Sequence, residues 1–288
     1  MCKEHRLKPS RNTAPESPPV AGRRATALSV ICLSFLSLFV VAVLTLLATA
    51  FRYEYLTFGI FKDIITSPNI LHAMTVSIVS SLITLMLVIV FAITAGYALS
   101  RYRFPGQAIL DTIADVPLLL PPVVVGLLLL IFFAYEPGRS IEHQMYTWTG
   151  FTMHSMVGIV LCQFLISSSY AIRSAKSAYD SVDRRLEQVA LSLGCTDLQA
   201  FGRVTLPLAR NGLIAGAIMA WARAIGVFGP LIVFVGTSVR VRTLPTVIYL
   251  ELSIGKEQVS LAVAIVMVAI ASVALAIVHW LAPGRKWS

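Results

Sequence analysis

An arginine lies deep within an apolar stretch of this sequence. Arg223 stands eleven residues into the stretch 212–236, which is about 16 Å along a helix that rises about 1.5 Å per residue. A guanidinium at the centre of a membrane costs at least about 2.5–3.5 kcal/mol on insertion scales, so ionisable residues at such depth usually serve a function. An arginine that faces a transport pathway favours the passage of an anion. A structural ion pair with Asp111 or Asp115 is the alternative.

A second feature is a polar, patterned segment, residues 187–207, which reads E-Q-V-A-L-S-L-G-C-T-D-L-Q-A-F-G-R-V-T-L-P between two apolar stretches. Leu186, Val189, Ala190 and Leu193 recur at the spacing i, i+3, i+4 and i+7. This spacing predicts one apolar stripe on an amphipathic helix. A patterned polar loop in so hydrophobic a protein indicates that something docks on it.

The ends of two short helices can be predicted in this loop. The carboxylate of Asp183 is expected to cap the first helix, and Gly194 is expected to end it in the left-handed conformation. Thr196 and Gln199 form a capping-box pattern that opens the second helix. Pro207 ends that helix or begins the next span, where its missing N–H costs nothing. The predicted rod can carry force between a docked domain and two spans; the alternative is an interfacial helix lying on the membrane.

The composition predicts an all-α, polytopic membrane protein. Of its 288 residues, 57% are hydrophobic and 13% are charged, and the mean hydropathy is +0.81, whereas soluble domains carry about twice that charged fraction. A membrane helix needs about 20 mostly apolar residues. Six stretches meet this criterion: 28–50, 72–98, 111–134, 153–172, 212–236 and 259–281.

The distribution of Lys and Arg predicts that both termini lie in the cytoplasm. In that orientation sixteen of these residues fall inside and six outside, with Arg223 within a span, as the positive-inside rule requires. The proline-rich residues 1–27 are expected to be a disordered, basic cytoplasmic tail. Residues 28–281 are expected to form the transmembrane domain, with the patterned loop (180–207) in the cytoplasm, and 282–288 a short cytoplasmic tail.

Adjacent prolines interrupt the third stretch. Residues 116–126 read V-P-L-L-L-P-P-V-V-V-G, and Pro121 and Pro122 remove backbone donors and break the helix. Broken backbone at membrane depth is tolerated where protein or a water-filled cavity receives the freed carbonyls. The segment therefore predicts a kink that lines a pathway or, alternatively, a plain packing kink.

The sequence lacks the motifs of several kinds of chemistry. There is no G-x-x-x-x-G-K-[ST] phosphate loop, so this chain is not expected to hydrolyse ATP by that route. The five histidines and four cysteines show no metal-ligand spacing and no disulfide framework. The net charge of +9 is accounted for by the positive-inside rule, so nucleic-acid binding is not expected. We expect no enzyme activity, no metal and no cofactor on this chain itself.

The loop resembles the signature of ABC-importer permeases, E-A-A-x3-G-x9-I-x-L-P. The matching positions are Glu187, Ala190, Gly194, Val204, Leu206 and Pro207, while Gln188 and Val189 stand where the family name implies alanines. The resemblance, which covers about residues 70–281, implies a type I importer permease with a cytoplasmic coupling helix that sits in a groove of an ATPase subunit. The residues it assigns to this coupling are Glu187, Ala190, Gly194, Asp197, Leu198, Phe201, Leu206 and Pro207.

The resemblance also implies the partners. These are two copies of an ATPase subunit that binds ATP and Mg²⁺, an extracytoplasmic substrate-binding protein, and a second copy of this chain within the lipid of the inner membrane. Gly194 and Pro207 would fix the geometry between helix and span. Glu187 would hold the loop against its own spans or against the ATPase.

Two further strings are similar to permeases for molybdate, tungstate and sulfate. They are L-P-P-V-V-V-G, residues 120–126, and A-R-A-I-G-V-F-G-P, residues 222–230, with Val227 where those permeases usually have Glu. The resemblance assigns the translocation pathway to Pro121, Pro122, Gly126, Arg223, Phe228 and Gly229. Alternatives are an ABC permease for phosphate, a polyamine or ferric ion, a secondary transporter, and an integral structural protein.

Overall fold

The computed structural model describes residues 33–42, 44, 45, 48 and 66–281, and these residues form helices joined by short connections. The chain divides into two units, Met1–Tyr55 and Leu56–Ser288. In the first, α1 is Leu33–Ala42, a short apolar helix. The helices of the second unit are α2 Pro68–Arg101, α3 Gln107–Leu119, α4 Pro122–Ala134, α5 Gly138–Thr149, α6 Met156–Asp180, α7 Arg184–Ser192, α8 Asp197–Ala200, α9 Leu206–Ile225, α10 Leu244–Ser253 and α11 Glu257–Leu281.

The second unit confirms the all-helical membrane architecture. In the described part of the chain, α2, α6, α9 and α11 are long and apolar enough to cross a membrane, and α3 with α4 makes a fifth span if the bent pair is counted as one. Part of the predicted stretch 28–50 and the whole of the two predicted tails, 1–27 and 282–288, lie outside the described residues.

The predicted third span is broken at its prolines. Helix α3 ends at Leu119, Pro121 is extended, and α4 begins at Pro122 with a bend of 111° between the two helices. Pro122 lacks an N–H at a position where a helix has no use for one, so it starts α4 at no cost. The sequence prediction that this pair breaks the helix is confirmed.

The predicted span 212–236 was wrong at both ends. Helix α9 begins at Leu206, ends at Ile225 and is followed by a short π-helical turn, Leu231–Val235, that is part of the protein interior. Hydropathy cannot distinguish apolar residues that cross a membrane from apolar residues that fill a core. As a result, Arg223 lies in the last turn of α9 and not in its middle.

Helices α2, α6 and α9 pack closely through small residues. An added Cβ at Gly96 of α2 would lie 2.7 Å from the Cβ of Ala175, and one at Gly212 of α9 would lie 2.5 Å from the Cβ of Ala178. Gly216 meets Ser174 in the same way. Membrane helices associate through such close backbone approach because lipid supplies no hydrophobic drive between them.

Buried polar side chains join the same helices. Gln163 of α6 accepts a hydrogen bond from Thr84 Oγ1 at 2.9 Å and donates one to Ser80 Oγ at 3.2 Å. Trp221 of α9 donates to Ser81 Oγ at 3.2 Å. These residues lie within the three spans, and each interhelical hydrogen bond in such a setting adds about 0.6 kcal/mol or more. They also fix the register of the three helices.

A second close contact joins α4 to the segment after α9. An added Cβ at Gly126 would lie 2.6 Å from the Cα of Pro230, and one at Gly229 would lie 2.8 Å from Val123 Cγ2. Val227, 5% exposed, and Phe234 belong to the apolar core beside this contact. The broken span is thus held by backbone contact to residues 227–235.

The close packing of α9 on α6 predicts the effect of enlarging Gly216. Gly216→Val should lower the free energy of unfolding by about 1–3 kcal/mol, because the new side chain overlaps Ser174. The midpoint of thermal unfolding of the detergent-purified protein measures this. Ala215→Val is the matched control, since Ala215 is exposed on the same helix. Equal midpoints for the two variants would contradict the packing role.

Candidate functional site

The loop between α6 and α9 forms the helices that its sequence predicts. The Asp183 carboxylate accepts a hydrogen bond from the backbone N–H of Arg185 at 2.9 Å, so it caps α7. Thr196 and Gln199 make both bonds of a capping box at the start of α8, at 3.4 and 3.1 Å. These side chains satisfy N–H groups that have no partner at the start of a helix. Both predicted caps are confirmed.

Gly194 ends α7 in the left-handed conformation, with φ +88°. The backbone N–H of Cys195 then donates to the carbonyl of Ala190 at 3.1 Å, which closes the helix end. No atom lies within 4 Å of a Cβ built on Gly194. Glycine is therefore required here by backbone conformation and not by space.

Pro207 does not end the second short helix. Residues Asp197–Ile225 form one continuous helix, in which α8 passes through a π-helical turn, Phe201–Thr205, into α9. Pro207 lies in the first turn of α9, directly after this π-helical turn. The prediction that Pro207 begins the span was the right alternative, and α8 is thus joined to a span without a break.

The apolar stripe of α7 faces away from the protein. Leu193 is 81% exposed, and Leu186 and Val189 are also exposed, while Ala190 on the inner side is buried. Leu198 of α8, in the same loop, is 79% exposed. We call the residues Leu186, Val189, Leu193 and Leu198 the apolar loop face. Apolar side chains gathered on a polar loop mark a surface that binds another molecule.

One carboxylate fastens this loop to the ends of two spans. Glu187 Oε1 accepts a hydrogen bond from Arg101 Nε at 3.0 Å and another from Thr205 Oγ1. Arg101 is the last residue of α2, and its side chain is 6% exposed against 14% for Glu187. Arg101 also donates to the carbonyl of Val182 at 3.0 Å. Glu187 is therefore bound by its own spans, which sequence reasoning left undecided.

Further contacts at the end of α2 support this attachment. Arg184 donates to the carbonyl of Ser100, and Ser100 Oγ donates to Asp180 Oδ1 at 2.5 Å. Arg101 and Thr205 were missed as partners of Glu187. The available signal was that a carboxylate in an apolar setting needs a cation, and Arg101 lies just after the second predicted span, 72–98, at its predicted cytoplasmic end.

Aromatic rings pack beneath the loop. The ring of Phe201, half-buried, lies 4.6 Å from that of Tyr97 and 6.1 Å from that of Tyr179, in tilted or edge-on arrangements. Tyr97 and Tyr179 are 5.5 Å apart. Such pairs add about 0.5–1.5 kcal/mol beyond burial.

Of the other predicted coupling residues, Asp197 is exposed and Leu206 is half-buried.

The structure places Arg223 apart from both carboxylates considered as its partners. Asp115 accepts from Arg173 Nε at 3.1 Å, and Asp111 pairs with Lys176. The Arg223 side chain is exposed and lies over the ring of Tyr170, 5.7 Å from its centre. The structural ion pair with Asp111 or Asp115 is therefore wrong, and the guanidinium is held by a cation–π contact.

The other predicted pathway residues fall at the broken span. Pro121 and Pro122 are exposed at the bend. Gly126 and Gly229 are buried in the backbone contact between α4 and the segment after α9. Phe228 is partly exposed and stacks on Tyr249 at 5.9 Å. No set of three or more His, Cys, Asp or Glu side chains suited to a metal occurs among the described residues.

The fold and the loop define a membrane permease, and comparison with known proteins identifies its family. Residues 88–287 match the family of binding-protein-dependent transport system inner membrane components, and the chain belongs to that family. Its relatives are permease subunits of ABC importers and not enzymes, and the protein lies in the membrane.

Two relatives come from the oxyanion branch. The chain is 36% identical over 224 residues to the molybdenum transport system permease protein ModB of Escherichia coli (strain K12), covering 76% of this chain and 96% of that protein. It is 31% identical over 183 residues to the molybdate/tungstate transport system permease protein WtpB of Pyrococcus abyssi, covering 64% and 68%. The resemblance to this branch is confirmed.

A solved structure shares the fold. It is a bacterial alginate ABC transporter in complex with a periplasmic protein that holds an alginate pentasaccharide. The TM-score is 0.74 over 91% of this chain and 95% of that chain, at 16% identity.

The attachment of the loop through Glu187 predicts a local effect of Glu187→Gln. The variant removes the charge that faces Arg101, and hydrogen bonds to charged groups contribute about 1.5–3 kcal/mol. Amide hydrogen exchange in residues 187–200 should then accelerate by about tenfold or more. Gln188→Ala, an exposed change on the same helix, should leave exchange unaltered. Unchanged protection in Glu187→Gln would show that the loop is held by other contacts.

Proposed function

We propose that this chain is the membrane-spanning channel subunit of an ATP-driven importer for an oxyanion: molybdate, tungstate or sulfate. The observation that carries the proposal is the apolar loop face, which is exposed on a loop fastened to two spans through Glu187. Its partner is an ATPase subunit, two copies of which bind ATP and Mg²⁺. A second copy of this chain completes the permease, and an extracytoplasmic binding protein delivers the substrate.

The mechanism rests on the rigid connection between the loop and α9. Closure of the ATPase pair on ATP would draw the two loops together. Because α8 continues into α9 without a break, displacement of Leu198 would move the whole span and not the loop alone. The attachment of Glu187 to Arg101 carries the same displacement to α2. The spans then change from inward-open to outward-open and receive the anion.

The chemistry of the outer end of α9 favours an anion. Arg223 is an exposed cation in the last turn of the helix, which the predicted topology places toward the outside. Its aromatic support from Tyr170 fixes its position without neutralising its charge. A charged group at this place attracts an anion that leaves the binding protein. Val227 does not line this path, because it is buried in the apolar core.

The docking role can be tested by placing a charge on the apolar loop face. Leu193→Asp should abolish co-purification of an ATPase subunit with the tagged protein, because a buried carboxylate without a partner opposes the contact. Mass spectrometry of proteins recovered gently from native membranes gives the readout. Ser192→Asp is the matched control, since it adds the same charge to an exposed polar position of α7. Recovery of the ATPase with Leu193→Asp, or of this chain alone from wild-type membranes, would contradict the proposal.

The substrate role of Arg223 can be tested separately. Arg223→Ala should lower uptake of the oxyanion by about tenfold or more, while the ATPase and the binding protein still assemble with the permease. Uptake is measured with isotopic molybdate and sulfate in vesicles that contain the whole complex. Arg139→Ala, an exposed arginine on the same predicted side, should transport normally. Normal uptake by Arg223→Ala would show that Arg223 does not act in the pathway. Loss of assembly would show that its role is structural.

A further inference from the structure

We infer that a cleft between α2, α6 and α9 binds one acyl chain of an anionic phospholipid from the inner leaflet, with Arg210 on the headgroup phosphate. The residues that line the cleft include Leu206 of the predicted coupling set but neither the apolar loop face nor Arg223. The inference therefore does not depend on which solute the permease carries.

The walls of the cleft are almost entirely apolar. Its volume is about 230 Å³. Small and longer aliphatic side chains line it; among them are Ala171, Ala175, Ala217, Ile89, Ile93 and Leu213. A hydrocarbon chain needs only apolar contact, so such a cleft suits it, whereas a small polar solute would find few groups to replace its water.

One charge lies at the edge of this cleft. Among the described residues that line it, Arg210 is the one that is ionisable, and its side chain is exposed. Arg203, also exposed, lies seven residues earlier and so nearer the cytoplasm. A basic pocket between membrane helices on the cytoplasmic side is the kind of site that binds acidic lipid headgroups, and Arg210 supplies the charge here.

The depth of the cleft matches one leaflet. Arg210 is four residues from the start of α9, or about 6 Å along the helix, which places it near the cytoplasmic boundary. Ile89 lies twelve residues before the end of α2 at Arg101, or about 18 Å from that end. Half of a hydrocarbon core of about 30 Å is about 15 Å. The cleft therefore runs from the headgroup level to the middle of the bilayer, as an acyl chain does.

The position of the cleft gives the lipid a mechanical consequence. Its walls come from α2 and α9, the two spans to which Glu187 ties the loop. An acyl chain in the cleft would add contacts between α2 and α9, the two spans that are proposed to move with the ATPase. Lipid charge would thus influence the transport rate through α9.

The test is lipid retention by the full chain, purified from vesicles of equal parts phosphatidylglycerol and phosphatidylcholine and analysed by native mass spectrometry. Wild-type protein should retain phosphatidylglycerol in preference to phosphatidylcholine. Arg210→Gln should lower this preference by about fivefold, the effect of one arginine near an anionic surface. Ala217→Leu should displace the retained lipid of either kind, because the larger side chain fills the cleft.

Two matched controls decide the outcome. Arg103→Gln removes an exposed cytoplasmic arginine outside the cleft, and Ala215→Leu enlarges an exposed residue elsewhere on α9; both should behave as wild type. An equal loss of preference in Arg103→Gln would reduce the effect to diffuse charge and overturn the site. Unchanged lipid in Ala217→Leu would also overturn it. If that variant instead separates two copies of the chain, the cleft holds a protein segment and the lipid assignment is wrong.

Discussion

The ion pair between Glu187 and Arg101 fastens the loop to its spans, and the position of the loop depends on it. Glu187 belongs to the loop, Arg101 ends α2, and Thr205, which also binds Glu187, lies at the junction with α9. A loop that hung from its spans by flexible backbone would absorb any displacement of a docked partner. Because both side chains are largely buried, water and salt screen the pair little. The loop is therefore an extension of the two spans.

The spans to which the loop is fastened belong to a closely packed group. Glycine and alanine bring α2, α6 and α9 into backbone contact, and the hydrogen bonds of Gln163 fix their register. Helix α3 is held differently, since none of its residues is fully buried and it is tied to α6 by the ion pairs of Asp111 and Asp115. Surface ion pairs hold a helix less firmly than a packed core. Within the broken span, α3 is thus held less firmly than the three-helix group, whereas α4 is held by backbone contact to the segment after α9.

Local features of the loop were predictable because they depend on neighbours in sequence. The cap at Asp183, the left-handed Gly194 and the capping box at Thr196 each need a residue type and a spacing of a few positions. The partner of Glu187 was not predictable, because Arg101 is 86 positions away and the sequence offers several cytoplasmic cations of equal merit.

The sequence by itself determined the class of the protein, most of its helical spans and the caps of the short loop helices. The orientation in the membrane and the segment that docks a partner stay predictions. Hydropathy, charge bias and capping depend on residues that are close together in the sequence, so they can be read from a single sequence. Only the tertiary structure decided where α9 ends, that Arg223 lies on Tyr170 and not beside Asp111 or Asp115, and that the loop is locked to its own spans. These depend on which apolar residues fill the core and which charges meet across distant helices, and that choice is made by packing in three dimensions.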